Sequence, residues 1–144
     1  MELRTILYVE DNPLDIELTL EAFKENNIAN LVVTTGNGVE ALEYLNSEGI
    51  YKGRKPGNPS MVLLDLKMPK MDGLEFLAIV KNDMKFKRIP IIMMTSSRQE
   101  EDLIKGYNLG VNAYVVKPLG FEALVEIVKH LGKFWVIINE LPSE

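Results

Sequence analysis

The chain has 144 residues, about one domain's worth, and its 47% apolar composition is enough for a single packed core. A net charge of −5 with no basic run excludes nucleic-acid binding through the phosphate backbone, and the absence of cysteine excludes disulfides, thiol nucleophiles and Cys-ligated zinc. Met1-Glu2-Leu3-Arg4 begins no secretory leader, and no apolar run reaches the ~18 residues needed to cross a bilayer, so the expectation is a soluble cytoplasmic chain with no membrane partner.

Strand-length apolar runs alternate with helical patterns, which signals α/β with a parallel sheet. Residues 5–9 form the first predicted strand. Asn12 then caps a helix with Pro13 at its first position, running to about residue 25 and turning Leu14, Leu18 and Ala22 inward. A second strand covers 31–35. Gly36-Asn37-Gly38 turns into a helix that ends near residue 47. Residues 48–60 make a Gly-, Pro- and Lys-bearing connection longer than the usual ~2–6 residues, read as a surface insertion or a partner-contact loop. The third strand is 61–64, followed by a helix over 73–83 with Leu74, Leu77 and Val80 on one face. The fourth strand is 91–94, and a helix follows over 98–109 with Gly110 as its stop and Ser96 or Ser97 as its cap. The fifth strand is 113–116. A last helix from about residue 120 buries Phe121, Leu124, Val125, Val128 and Leu131.

Four of these strands end abruptly in polar chemistry: Glu10-Asp11, Asp65, Thr95 and Lys117-Pro118. In an open parallel sheet, such ends converge on one crevice. Carboxylates held together resist ionising beside one another, and a hard divalent cation relieves that repulsion. Glu10, Asp11 and Asp65 therefore predict a magnesium site. Asp65, on the Pro- and Gly-marked turn, is the candidate nucleophile toward phosphorus. Lys117 supplies a positive charge for the transferring group, and Thr95 a hydroxyl donor. The Lys117-Pro118 bond is left open between cis and trans. Tyr114 is either a plain aromatic or a ring that moves with Thr95. His130, late in the last helix, reads as solvated.

Together these residues resemble the receiver domain of two-component response regulators. Tyr8-Val9-Glu10-Asp11-Asn12-Pro13 is similar to that family's first-strand acidic motif. The segment Asp65-Leu66-Lys67-Met68-Pro69-Lys70-Met71-Asp72-Gly73 is similar to its phosphoacceptor loop. Thr95-Ser96, Tyr114 and Lys117-Pro118 are similar to its switch hydroxyl, switch aromatic and phosphate-binding lysine. The insertion and the tail resemble the small regulators paired with phytochrome kinases. The resemblance implies a doubly wound five-stranded sheet in the order 2-1-3-4-5. It also implies direct magnesium contact from Asp11, Asp65 and the backbone carbonyl of Lys67, with Glu10 acting through water. The implied partner is a sensor histidine kinase, a phytochrome among the candidates, or a phosphotransfer protein, and the expected output is a protein contact. Lys67, long and cationic where many receivers carry an amide or small residue, predicts slow loss of phosphate.

Two other classes fit the residues less well. An aspartate-nucleophile phosphatase needs a second acid two residues after the nucleophile, and Lys67 stands there instead. A flavodoxin-type carrier needs a Ser-, Thr- and Gly-rich phosphate loop, and Glu10-Asp11 would repel the phosphate. The chain is therefore expected to be no enzyme beyond its own phosphorylation and dephosphorylation. Residues 1–133 form the predicted receiver, and 134–144 a tail extending the last helix. Phe134 and Trp135 in that tail are expected to face outward as a partner contact, supporting a homodimer.

Overall fold

The computed structural model describes residues 4–142. Five strands, β1 (Ile6–Val9), β2 (Val32–Thr35), β3 (Met61–Leu64), β4 (Ile91–Thr95) and β5 (Ala113–Val116), form one parallel sheet in the order 2-1-3-4-5. The helices are α1 (Pro13–Glu25), α2 (Gly38–Asn46), α3 (Gly73–Lys81), α4 (Glu100–Asn108) and α5 (Phe121–Leu131). β1, β3 and β4 are buried on both faces, which is why they read as unbroken apolar runs rather than alternating ones.

The strand period of two sends alternate side chains to two cores. Leu7, Val9, Val62, Leu64, Ile91 and Met93 meet Ala41, Phe76, Leu77 and Val80 from α2 and α3. Ile6, Tyr8, Met61, Leu63, Ile92 and Met94 meet Ala22, Phe23, Leu124 and Val128 from α1 and α5. Only Gly106 of α4 is buried, so that helix is held far more lightly than the rest. No helix among the described residues is long and apolar enough to cross a membrane.

Several expected faces are corrected. Leu14 and Leu18 point outward, and α1 instead buries Thr19, Ala22 and Phe23. The inward stripe contains a threonine, which a hydropathy reading passes over. Phe121, the first residue of α5, is also exposed, while Leu124, Val128 and Leu131 are buried as expected. Neither Ser96 nor Ser97 caps α4. Gln99 holds that position without a side-chain bond, and the Ser97 hydroxyl donates to Asp102 at 2.6 Å. Every peptide bond among the described residues is trans, Lys117-Pro118 included.

Arg54 ties the insertion to the end of α2, and Asn58 ties it to the Lys85 carbonyl at 2.9 Å. Arg54 donates to the carbonyls of Tyr44, Leu45, Lys55 and Gly57, and its guanidinium lies 4.2 Å from the Tyr44 ring centre. A π-helical segment, Gly132–Ile138, continues α5, and it buries Val136 and packs half-buried Trp135 on the core beside α5. Leu141 and Pro142 then line a hollow of about 340 Å³ at the N-terminal ends of the strands. Trp135 is thus half-buried on its own domain rather than facing fully outward. Phe134, Ile137 and Ile138 remain exposed.

Candidate functional site

Backbone bonds fix the crevice before any side chain is considered. Glu10 N–H donates to the Thr35 carbonyl at 3.0 Å, Asp65 N–H to Val9 at 3.0 Å, and Lys117 N–H to Thr95 at 2.8 Å. Each ties one polar strand end to its neighbouring strand. The loop after β3 is closed by Gly73 N–H to the Leu66 carbonyl at 2.7 Å. A Cβ at Gly73 would overlap the Asp65 carbonyl oxygen, so only glycine lets the loop fold back that closely. Asp72 then caps α3 in a reciprocal box with Glu75.

Carboxylate oxygens of Glu10, Asp11 and Asp65 all lie within 4.8 Å of one another. Glu10 is fully buried, Asp65 nearly so, and Asp11 is exposed. Lys117 Nζ donates to Glu10 Oε1 at 2.6 Å and to Asp15 Oδ2 at 2.8 Å, and stands 3.7 Å from Asp65 Oδ1. Burial, and then the neighbouring Asp65 carboxylate, push the Glu10 carboxyl up to about 7 against the pull of Lys117. Burial alone would lower the Lys117 ammonium, but its bonds to Asp15 and Glu10 outweigh that and raise it.

One ammonium beside Glu10, Asp15 and Asp65, with Asp11 a fourth acid in the cluster, leaves the crevice with surplus negative charge. The donors are all oxygen and one of the acids is open to water, a set suited to Mg2+ or Mn2+ rather than to a soft metal. Glu10, Asp11 and Asp65 are the side chains that would hold it.

A cleft of about 250 Å³ opens beside Asp65, lined by Lys67, Thr95, Ser96, Ser97, Arg98 and Gln99. The Thr95 hydroxyl oxygen, buried at the end of β4, accepts from Ser97 N–H at 3.4 Å. Tyr114 is half-buried against the α2–α3 core and donates its hydroxyl to the Ser97 carbonyl at 3.1 Å. Thr95 and Tyr114 therefore hold the same residue from its two sides. Lys67 is exposed at the rim of the cleft. Phe134 and Trp135 lie at the end of α5, away from this crevice, and His130 is exposed beside Glu126. Asp15 is the member that the sequence reading missed. Its signal was an acid one helical turn beyond Asp11, which looks like any acid in a first turn.

Comparison with known proteins agrees with this geometry. The family model for the response regulator receiver domain matches residues 6–129. Response regulator Rcp1 of Synechocystis sp. is 35% identical over 140 residues, covering 97% of this chain and 94% of its own. The solved structure of the phosphorylated cyanobacterial phytochrome response regulator RcpA matches with a TM-score of 0.88 at 40% identity, covering 99% of this chain and 100% of its own. The bacteriophytochrome response regulator AtBRR is 53% identical with a TM-score of 0.79, covering 97% of this chain and 100% of its own. Rcp1 has also been solved in a Mn(2+)-bound form, with a TM-score of 0.85 at 35% identity and 97% and 99% coverage.

Proposed function

The chain belongs to the response-regulator receiver family, and on that premise we propose that Asp65 is its phosphoacceptor. Receivers take their phosphoryl group from histidine kinases in two-component signalling and bind Mg2+ or Mn2+ at an acidic pocket. The observation that carries the assignment is the nearly buried Asp65 carboxylate, 3.7 Å from Lys117 and within 4.8 Å of the Glu10 and Asp11 oxygens.

An Asp65 oxygen attacks the phosphorus of a phosphohistidine. The new P–O bond forms as the P–N bond breaks, and the imidazole leaves. A divalent cation held by Glu10, Asp11, Asp65 and the Lys67 carbonyl would neutralise charge on the phosphoryl oxygens. Lys117 meets the same oxygens from the other side of Asp65, and the Thr95 hydroxyl donates to one of them. Moving Thr95 disturbs its bond to Ser97, and Ser97 is also the anchor of Tyr114, so the change passes to β5 and to lightly held α4. This is a population shift biased by contacts to the phosphoryl group.

The reading makes the chain a switch and not an enzyme, since Lys67 stands where a phosphatase would place its second acid. It puts the chain in the cytoplasm beside its kinase. The names of Rcp1, RcpA and AtBRR support a phytochrome-linked kinase as the donor. Leu119 and Phe121, exposed just after Lys117 in the chain, and Leu14 and Leu18, exposed on α1 beside Asp15, offer apolar surface to a helical partner presenting the phosphohistidine. Residues 134–144 remain a contact segment in this reading. Phe134, Ile137 and Ile138, all exposed on the segment that continues α5, support a homodimer. Sedimentation of the parent and of a Phe134→Ser/Ile137→Ser variant checks that point, with a monomer for the parent overturning it.

The central test is mass spectrometry after incubation with acetyl phosphate and Mg2+. The parent gains one phosphoryl mass and Asp65→Asn gains none. A phosphoryl group on Asp65→Asn overturns the assignment, and phosphorylation unchanged by a chelator overturns the metal's part.

A further inference from the structure

Asp15 sits in the first turn of α1 and accepts from Lys117 Nζ at 2.8 Å. The same ammonium reaches Glu10 at 2.6 Å but stands 3.7 Å from Asp65, beyond hydrogen-bond range. A lysine has three N–H donors, and two are committed here to carboxylates other than the phosphoacceptor. The Asp15 side chain is not spent on capping its helix. Asn12 is the cap, and its Oδ1 accepts from Asp15 N–H at 3.0 Å. The Asp15 carbonyl accepts from the Tyr8 hydroxyl at 3.3 Å, which pins this turn of α1 to β1. The reach of the carboxylate toward Lys117 is therefore set by the fold.

We propose that Asp15 is a positioning residue that holds Lys117 in the resting state and competes with a phosphoryl group on Asp65 for its ammonium. The inference rests on Asp65 being the phosphoacceptor. A phosphoryl group brings anionic oxygens to the Asp65 side of Lys117, and whatever charge Asp15 neutralises is lost to them. Of the two resting partners, Asp15 is the one Lys117 can yield. Its side chain is 37% exposed, so water replaces the ammonium at small cost, whereas Glu10 at 0% has no water to receive. Asp15 thereby sets how strongly the crevice grips a phosphoryl group without touching it.

The experiment uses the full chain, saturating Mg2+ and beryllofluoride as the phosphoryl mimic, followed by the amide NMR signals of Thr95 to Ser97. Asp15→Asn is expected to bind beryllofluoride about two- to fivefold more tightly than the parent, the range of a partly exposed ion pair. Its affinity for Mg2+ alone does not rise, because removing a negative charge gives a cation nothing. Asp15→Glu, which restores the charge, returns toward the parent. Glu17→Gln, an exposed acid on the same helix outside the ion pairs of Lys117, stays at the parent value. Unchanged or weaker beryllofluoride binding by Asp15→Asn overturns the proposal. So does equal tightening by Glu17→Gln, which would reduce the effect to net charge. A parent that neither binds beryllofluoride nor gains phosphoryl mass overturns the Asp65 assignment itself, whereas a responsive parent with an indifferent Asp15→Asn overturns the tether alone.

Discussion

Two half-buried lysines sit at opposite ends of the sheet, and their partners differ in kind. Lys81, at the N-terminal end of β4, donates to the carbonyls of Lys87 and Ile89 and to Asn112 Oδ1, at 3.3, 3.0 and 3.1 Å. All three acceptors are neutral, and burial lowers its ammonium below the usual lysine range. Lys117, at the C-terminal end of β5, meets carboxylates, and they raise it despite burial. The first lysine closes loops. Asn112 Oδ1 also accepts from Ile91 N–H at 2.8 Å, so Lys81 joins α3, the strand entry and the turn before β5. The second balances charge that the proposed phosphoryl group on Asp65 would change. Burial alone does not mark a functional lysine; the charge of what it faces does.

The sharpest way to break this contrast is to remove each lysine in turn. Lys117→Ala should abolish the beryllofluoride response of α4 and β5. It should also cost metal-free stability on the order of 2–3 kcal/mol, less than a wholly buried pair because Glu10 can take up a proton. Amide NMR and chemical denaturation in chelator measure both, and surviving shifts in α4 would end the role given to Lys117. Lys81→Met should cost about 1–3 kcal/mol through carbonyls left unpaired, while Mg2+ and beryllofluoride affinities stay at parent values. A drop in either affinity would show that the two ends are coupled.

The raised Glu10 carboxyl sharpens the same comparison through pH. Its value of about 7 in the fold lies above the ordinary 4.5, so the native state holds this proton more tightly than the unfolded chain. The stability it contributes in chelator is fully present below about 4.5 and is lost as pH rises through about 7. Mg2+ needs the carboxylate, so its affinity should fall as pH drops through the same range. Thermal melts with and without Mg2+ across neutrality should show the metal's stabilisation growing with pH, and a stabilisation that is flat or shrinking would sink the assignment. The smallest effect is expected at the cleft rim. Lys67→Asn should shorten the phosphorylated lifetime by about two- to threefold, as an exposed cation is withdrawn from the phosphoryl oxygens. A lifetime equal to the parent's or longer would place Lys67 in solvent.

The crevice was more legible than the surfaces around it. Glu10, Asp11, Asp65, Thr95 and Lys117 each stand at the end of an apolar strand run, and a parallel sheet has only one place to bring such ends. The inward face of α1 was misread because spacing alone does not say which stripe packs. Leu14 and Leu18 keep helical spacing with Ala22, yet the stripe that packs runs through Thr19 and Phe23. Trp135 is half-buried because a π-helical turn continuing α5 lays it against its own core, a placement no spacing in the sequence shows. Hydropathy reports what a side chain prefers, but not which neighbour is within reach.

From the sequence by itself came the strand order, through its resemblance, and the candidate acids and candidate phosphoacceptor, through local runs, turn residues and spacing along the chain. Tertiary structure alone decided that Lys117 rests on Asp15 as well as Glu10, that Ser97 links Thr95 to Tyr114, and that Lys81 closes the opposite end. Each of those is a contact between residues far apart in the chain or set by the angle at which a helix leaves its strand. No periodicity encodes such a pairing; it exists only once the sheet has fixed the distances.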